Sequence, residues 1–214
     1  MSDSWHQNLK NKNREEIISA GRELFLKNNF PNVNIKDVCA LAGISRVTFY
    51  KHFKSIEELI FEVQINILNN MTDFIIARDN THASGLERLK LVLYAWMEFA
   101  KEFKNQMKFI VLFDLYYDTN EELNFKYENF IGEENDKDFL HSIIHKGIED
   151  KSFRSDLNPI ITEYYIYQTI TGVLQRMSYT KLPRKYGVVS FDDIALSVID
   201  MIINSVRGVG ITTI

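Results

Sequence analysis

The sequence predicts an all-α protein of about nine helices, a three-helix N-terminal head followed by a larger helical body. Three observations carry this. Apolar residues recur at three- and four-residue spacing along most of the 214 residues. No stretch alternates Val, Thr and Ile over a useful strand length. Pro31, Pro159 and Pro183 fall where helices should begin or end, and most glycines also punctuate. At 45% hydrophobic and 25% charged, the composition suits a globular protein with a core. There is no internal repeat and no low-complexity stretch.

The first helix should run from about Asn11 to Asn28, with Ile17, Ile18, Ala20, Gly21, Leu24 and Phe25 inward. Two short helices follow within residues 34–53. Ser55 and Glu58 form a capping-box pair for a fourth helix reaching about Arg78, with Leu59, Ile60, Val63, Ile67, Met71 and Phe74 as its apolar stripe. Ser84 and Glu87 start a fifth, to about Phe103. Met107–Asp118 reads as a short apolar helix, residues 121–131 as a weaker one, and residues 132–136 as loop. Asp138–Lys151 is helical again. Asn158 as cap and Pro159 at the first helical position open a long helix to about Tyr179. Ser190 and Asp193 start the last one, ending near Arg207, before an apolar tail from Gly208.

Residues 34–59, NIKDVCALAGISRVTFYKHFKSIEEL, carry the chemistry. Asn34 caps a helix whose third residue, Asp37, puts a negative charge where the helix dipole favours one. Ile35, Val38, Cys39 and Ala42 share its inner face, and Gly43 ends it. Ser45 caps the next helix, Arg46 to His52, in which Phe49 and Phe53 face inward four residues apart. Arg46, Val47, Thr48, Tyr50 and Lys51 are left outside. A short helix, a tight turn and a second helix that is apolar inside and basic, hydroxylated and aromatic outside has the form of a DNA-reading helix-turn-helix.

Here the chain resembles the TetR family of bacterial transcriptional regulators. The family pattern is matched, identically or by a close equivalent, at Val38, Ala42, Gly43, Ile44, Ser45, Thr48, Phe49, Tyr50, His52, Phe53, Ser55, Glu57 or Glu58, and Leu59. Three positions depart from it: Asn34 stands where a capping Thr is common, Val47 where a Gly lets the recognition helix approach DNA, and Ile56 where a Lys grips phosphate. The resemblance implies a DNA-binding domain over residues 1–54 and a ligand-binding and dimerisation domain over 55–214. It implies that Asn34, Tyr50, His52 and Lys54 bind phosphates, while Arg46, Val47, Thr48 and Lys51, on a helix capped by Ser45, face bases or flanking phosphates. Lys10, Lys12 and Arg14 would add backbone contacts. The expected partners are double-stranded DNA, a small-molecule effector and a second copy of the chain. The alternative is a dimeric ligand- or protein-binding module whose operator binding Val47 and Ile56 have impaired.

In the body, aromatic residues are dense. Trp96, Phe99, Phe103, Phe113, Tyr116, Tyr117, Tyr164 and Tyr167 are candidates to line a cavity for a small apolar or aromatic ligand, set against the reading that most of these rings are solid core. The last helix carries Ile194, Ala195, Val198, Ile199, Ile202, Ile203 and Val206, a stripe broad enough for burial on two sides. In the helix before it, Thr169, Thr171 and Gly172 are small enough for a close helix approach. The resemblance implies that these two helices pair with their twofold mates.

Net charge is −4, but residues 1–54 hold nine Lys or Arg against five Asp or Glu, so a basic head sits on an acidic body. Cys39 is the single cysteine and reads as a core thiol. His141 and His145, four apart, are placed on the solvent side rather than at a metal. No nucleophile triad, phosphate loop or paired-carboxylate motif argues for an enzyme, and no cofactor is expected. The N-terminus lacks the apolar stretch of a signal peptide, and the longest apolar run, Leu91–Met97, is too short to span a bilayer. A cytoplasmic protein with no membrane partner is expected.

Overall fold

The computed structural model describes residues 2–117, 127, 137–181 and 189–208, with side chains from residue 11 onward and, after 136, from residue 139. Among these residues there are nine α-helices, one 3-10 turn and no strand beyond a single antiparallel bridge between Phe153 and Arg207. The helices are α1 Ser2–Asn28, α2 Ile35–Ala42, α3 Arg46–Tyr50, α4 Ile56–Ile76, α5 Gly85–Glu102, α6 Lys104–Tyr117, α7 Lys137–Glu149, α8 Pro159–Tyr179 and α9 Phe191–Val206, with the 3-10 turn at Phe30–Asn32. The helix expected at 121–131, the loop at 132–136, Pro183 and the tail past Gly208 lie outside the described residues.

The starts follow the caps. Asn34, Ser45, Ser84, Asn158 and Ser190 each accept a backbone N–H from the first turn of their helix, and Asn34, Ser84 and Ser190 complete reciprocal boxes with Asp37, Glu87 and Asp193. At Ser55 the reciprocity is altered: its Oγ accepts from Glu58 N–H, but the Glu58 carboxylate reaches back to Lys54 N–H. Three boundaries differ from expectation. Helix α1 starts at Ser2, since no Gly or Pro precedes Gly21 to stop it. Helix α6 starts at Lys104, because Phe103 breaks the helix for one residue only and keeps its own N–H on Phe99 O. Helix α3 stops at Tyr50, with Lys51 and His52 continuing as a turn on the carbonyls of Thr48 and Phe49.

The chain packs as two compact units, one of residues 1–69 and 109–129 and the other of 70–108 and 130–214, so α4 and α6 each give residues to both. In the first unit, Phe25, Phe30 and Phe109 form an aromatic core with ring centroids 5.3–6.5 Å apart. Helix α1 is tied along α4 by Arg14–Glu62 at 2.7 Å and Arg22–Asn66 at 3.1 Å. Between these ties Gly21 faces Leu59, and a Cβ there would fall 2.9 Å from the leucine.

In the second unit, α5 and α7 approach at Gly85 and Gly147 so closely that a Cβ on Gly85 would lie 2.2 Å from Gly147 backbone atoms. The freed N–H groups at the start of α5 are met from the loop after α7: Gly85 N–H donates to Asp150 and Leu86 N–H to Ser152 Oγ. A buried pair, Arg88 with Asp79 at 2.7 Å, holds the same end. The end of α9 is pinned to that loop by Arg154 N–H on Val206 O and Gly208 N–H on Ser152 O.

Candidate nucleic-acid interface and ligand-side aromatics

The helix-turn-helix is built so that its polar backbone is satisfied internally. Gly43, at φ 67° and ψ 28°, closes α2 in the left-handed conformation that glycine adopts without strain. Asn34 Oδ1 accepts from Lys36 and Asp37 N–H, which leaves the amide nitrogen as the donor for an external group. Ser45 Oγ accepts Thr48 N–H at 3.1 Å and also meets Thr48 Oγ1 at 3.0 Å. Thr48 is therefore half-buried and tied to the cap. Phe49 and Phe53 are buried against each other at 5.7 Å.

What remains outside is Arg46, Val47 and Tyr50 on α3 and Lys51 in the turn that follows, on one arc away from Phe49. Val47 is 69% exposed and Tyr50 56%. The Tyr50 ring is held edge-on to Phe49 at 5.6 Å, so its position is set by the core although its face is open. Lys54 is exposed and His52 half-buried. Ile56, where the family pattern has a basic residue, is half-buried and apolar. Of the basic residues on α1, Arg14 pairs with Glu62 and lies 5.3 Å over the Phe53 ring, so it braces the head instead of standing free. Lys12 pairs loosely with Glu16 at 3.8 Å, and the Lys10 side chain lies outside the described residues. Burial pushes the Cys39 thiol up, against a partial pull down from Arg46, as befits a core thiol.

The eight ligand-side aromatics divide between the units. In the first, Phe113 and Tyr117 stack at 5.6 Å, Tyr127 meets both edge-on at 5.2 and 4.7 Å, and Tyr116 packs on Phe30. In the second, Phe99 and Phe103 pack with Phe74, and Trp96 meets Tyr167 at 6.2 Å. Tyr164 and Tyr167 lie open on α8 beside exposed Ile160 and Ile161. A cleft of about 140 Å³ in this unit, lined by Ala100, Lys101, Lys104, Ser178 and Phe191, is small for an organic ligand.

One residue was missed by sequence reasoning. Gln64 is fully buried, its Nε2 donating to Tyr127 Oη at 3.3 Å, while its Oε1 has no hydrogen-bond partner among the described residues. The signal was present: Gln64 sits at i+4 from Ile60 and i−3 from Ile67, inside the buried stripe of α4. Asp114 on α6 is reachable by solvent on one side yet crowded by protein on the other, and this desolvation pushes its carboxyl up to about 6. His141 Nδ1 meets Glu163 at 3.1 Å, and exposed His145 lies ring to ring with it at 4.4 Å. Among the described residues no group of three ligating side chains is placed to hold a metal, and no helix is long and apolar enough to cross a membrane.

The sequence model of the family described as bacterial regulatory proteins, tetR family, matches residues 17–63, which hold α2, α3 and the cap of α4. Residues 17–63 therefore carry the regulatory domain of the tetR family. The transcriptional repressor KstR2 of Mycobacterium tuberculosis is 26% identical over 168 residues, 74% of this chain and 78% of that one. The HTH-type regulator YerO of Bacillus subtilis is 34% identical over 106 residues, 48% of this chain, and the match spans about a third (35%) of that protein's length. A solved regulator from Saccharomonospora viridis, in complex with choline, shares the fold at a TM-score of 0.75 and 18% identity, over 92% of this chain and 98% of that one. TetR regulators carry an N-terminal helix-turn-helix and a helical C-terminal body, and the nine described helices follow that plan.

Proposed function

We propose that this TetR-family chain is a homodimeric repressor that holds a roughly palindromic operator and is released by a small apolar or aromatic effector. The observation that carries the DNA-facing part is the exposed arc of Arg46, Val47, Tyr50 and Lys51 on a helix whose cap and core are already satisfied. Apart from the edge contact of Tyr50 on Phe49, those side chains are open to solvent, and contact with a partner explains them best. In this reading residues 1–54 bind DNA and residues 55–214 bind ligand and dimerise. Asn34, Tyr50, His52 and Lys54 fix register on phosphates. Arg46 forks onto a guanine edge, and the Val47 methyls meet a thymine methyl.

Dimerisation is supported by the open apolar residues Ile160, Ile161, Tyr164 and Tyr179 on α8 and Leu196 and Met201 on α9. Gly172, on α8, has open space around its Cβ position, as a close helix approach from a second copy requires. Pairing would set two recognition helices about 34–36 Å apart, one turn of DNA. Effector and operator oppose each other through α4, which gives residues to both units, and the coupling is reciprocal. The choline held by a fold neighbour supports a small organic ligand as the effector, without naming it.

The deciding experiment is selection of randomised duplex DNA on the purified protein, with enriched sites titrated against salt. An inverted repeat whose affinity falls steeply with salt is expected, since each phosphate contact releases counterions. A folded dimer with no enriched motif would replace the repressor with a ligand- or protein-binding module whose recognition helix Val47 and Ile56 have disabled.

A further inference from the structure

We propose that Gln64 is the polar anchor of the effector site and that the effector is a neutral aromatic molecule carrying a hydroxyl. This rests on the effector reading above and specifies its chemistry. Gln64 has 0% exposure and bonds to Tyr127, one member of a linked cluster of four aromatic rings. Its Nε2 meets Tyr127 Oη, Tyr127 packs edge-on to Phe113 and Tyr117, and Phe61 lies 6.4 Å from Phe113. A buried amide end with no partner is costly, and a leucine or methionine at this position would avoid the cost. The amide oxygen and nitrogen can exchange places by a flip, but either orientation leaves one end unpaired. A hydroxyl donates and accepts, so it satisfies whichever end is free. The amide is neutral, so a neutral group matches it without the penalty of burying a charge.

Position gives the anchor a consequence. Glu62 and Asn66, the residues through which Arg14 and Arg22 tie α4 to α1, lie on the opposite side of α4 from Gln64. A ligand bonded to Gln64 therefore acts on the segment of α4 that the head holds from the other side.

The test uses 2-naphthol and 2-methylnaphthalene, which differ by a hydroxyl against a methyl, titrated calorimetrically into the full-length wild type, Gln64→Leu and Gln64→Met. The two variants guard against a packing artefact, and both should melt no lower than wild type because they remove an unpaired amide. Wild type should prefer the naphthol about tenfold, the weight of one buried hydrogen bond. Both variants should lose that preference while still binding 2-methylnaphthalene. Equal binding of both probes by all three proteins would overturn the Gln64 anchor, as would a preference that survives in the variants. Either result leaves the effector site standing, with the amide paired to a trapped water. Binding of neither probe by any of the three would overturn the ligand class and the aromatic-effector reading together.

Discussion

Tyr50 and Arg46 are neighbours on one arc of α3 but should fail differently when removed. Tyr50 is anchored by Phe49, and under the phosphate role proposed for it Tyr50→Ala should weaken binding to all duplexes by a similar factor. Arg46→Ala should cost about 1–3 kcal/mol on the best site and relax preference at particular base pairs. A binding matrix measured for each variant checks this, and the reverse pattern would exchange their roles. Asp114 gives a second prediction at this scale. Its folded value of about 6 lies above the roughly 3.9 of an unfolded aspartate, so between those values the folded chain holds a proton that the unfolded chain has released. Its contribution to stability is therefore full below pH ~4 and is lost as pH rises through about 6. Asp114→Asn should flatten that slope in urea melts at stepped pH. Asp150 acts in the opposite sense: burial pushes its carboxyl up, but hydrogen bonds from Ser152 and from the Gly85 and Ser152 amides, with Lys146 nearby, outweigh this and hold it low. Its contribution survives above pH ~4 and disappears as pH falls through the folded value.

Among elements, what the sequence made legible is what depends on short range. Caps at Asn34, Ser45, Ser84, Asn158 and Ser190, and the left-handed Gly43, require only residues within one turn, and each is found where the pattern put it. The inward Phe49 and Phe53 and the outward Val47 and Tyr50 follow from helical period alone. Features set by distant partners were not legible. Arg14 read as a free DNA-facing cation because Glu62 and the Phe53 ring, its actual neighbours, lie far along the chain. Gln64 went unremarked: the α4 stripe marks its position as buried, but nothing local reveals Tyr127 as its partner. The division of the eight aromatics between two units depends likewise on how α4 and α6 are shared. The crossing of α5 and α7 belongs here too. Gly85→Ala places a methyl into Gly147 backbone that cannot rotate away, and should cost about 3 kcal/mol or more in chemical denaturation. Gly172→Ala, with open space around it, should instead leave the fold of a single chain intact and favour its helix by roughly 0.5–1 kcal/mol.

At the scale of the whole molecule, the exposed stripes of α8 and α9 bear on assembly. Met201→Glu puts a charge on the proposed pairing surface, where Met201 is exposed. Sedimentation should show a shift from dimer to monomer, and operator affinity should drop to that of a single half-site, with head folding unchanged by circular dichroism. A dimer unaffected by the change would place the pairing surface elsewhere. Phosphate contacts by the basic head should make binding strengthen as salt is lowered, while repulsion between DNA and the acidic body works against it.

The glycine crossing at Gly85 and Gly147 also sets what laboratory evolution of this protein can reach. In a saturation library selected only for operator binding, these two positions should tolerate as little change as the recognition helix, although they lie outside both the recognition helix and the site proposed at Gln64. Depletion in such a library would mark them as functional residues by outcome, and only a parallel screen for folded protein would separate the two kinds of intolerance. Engineers seeking a new effector would do well to leave both glycines fixed and spend their diversity around Gln64.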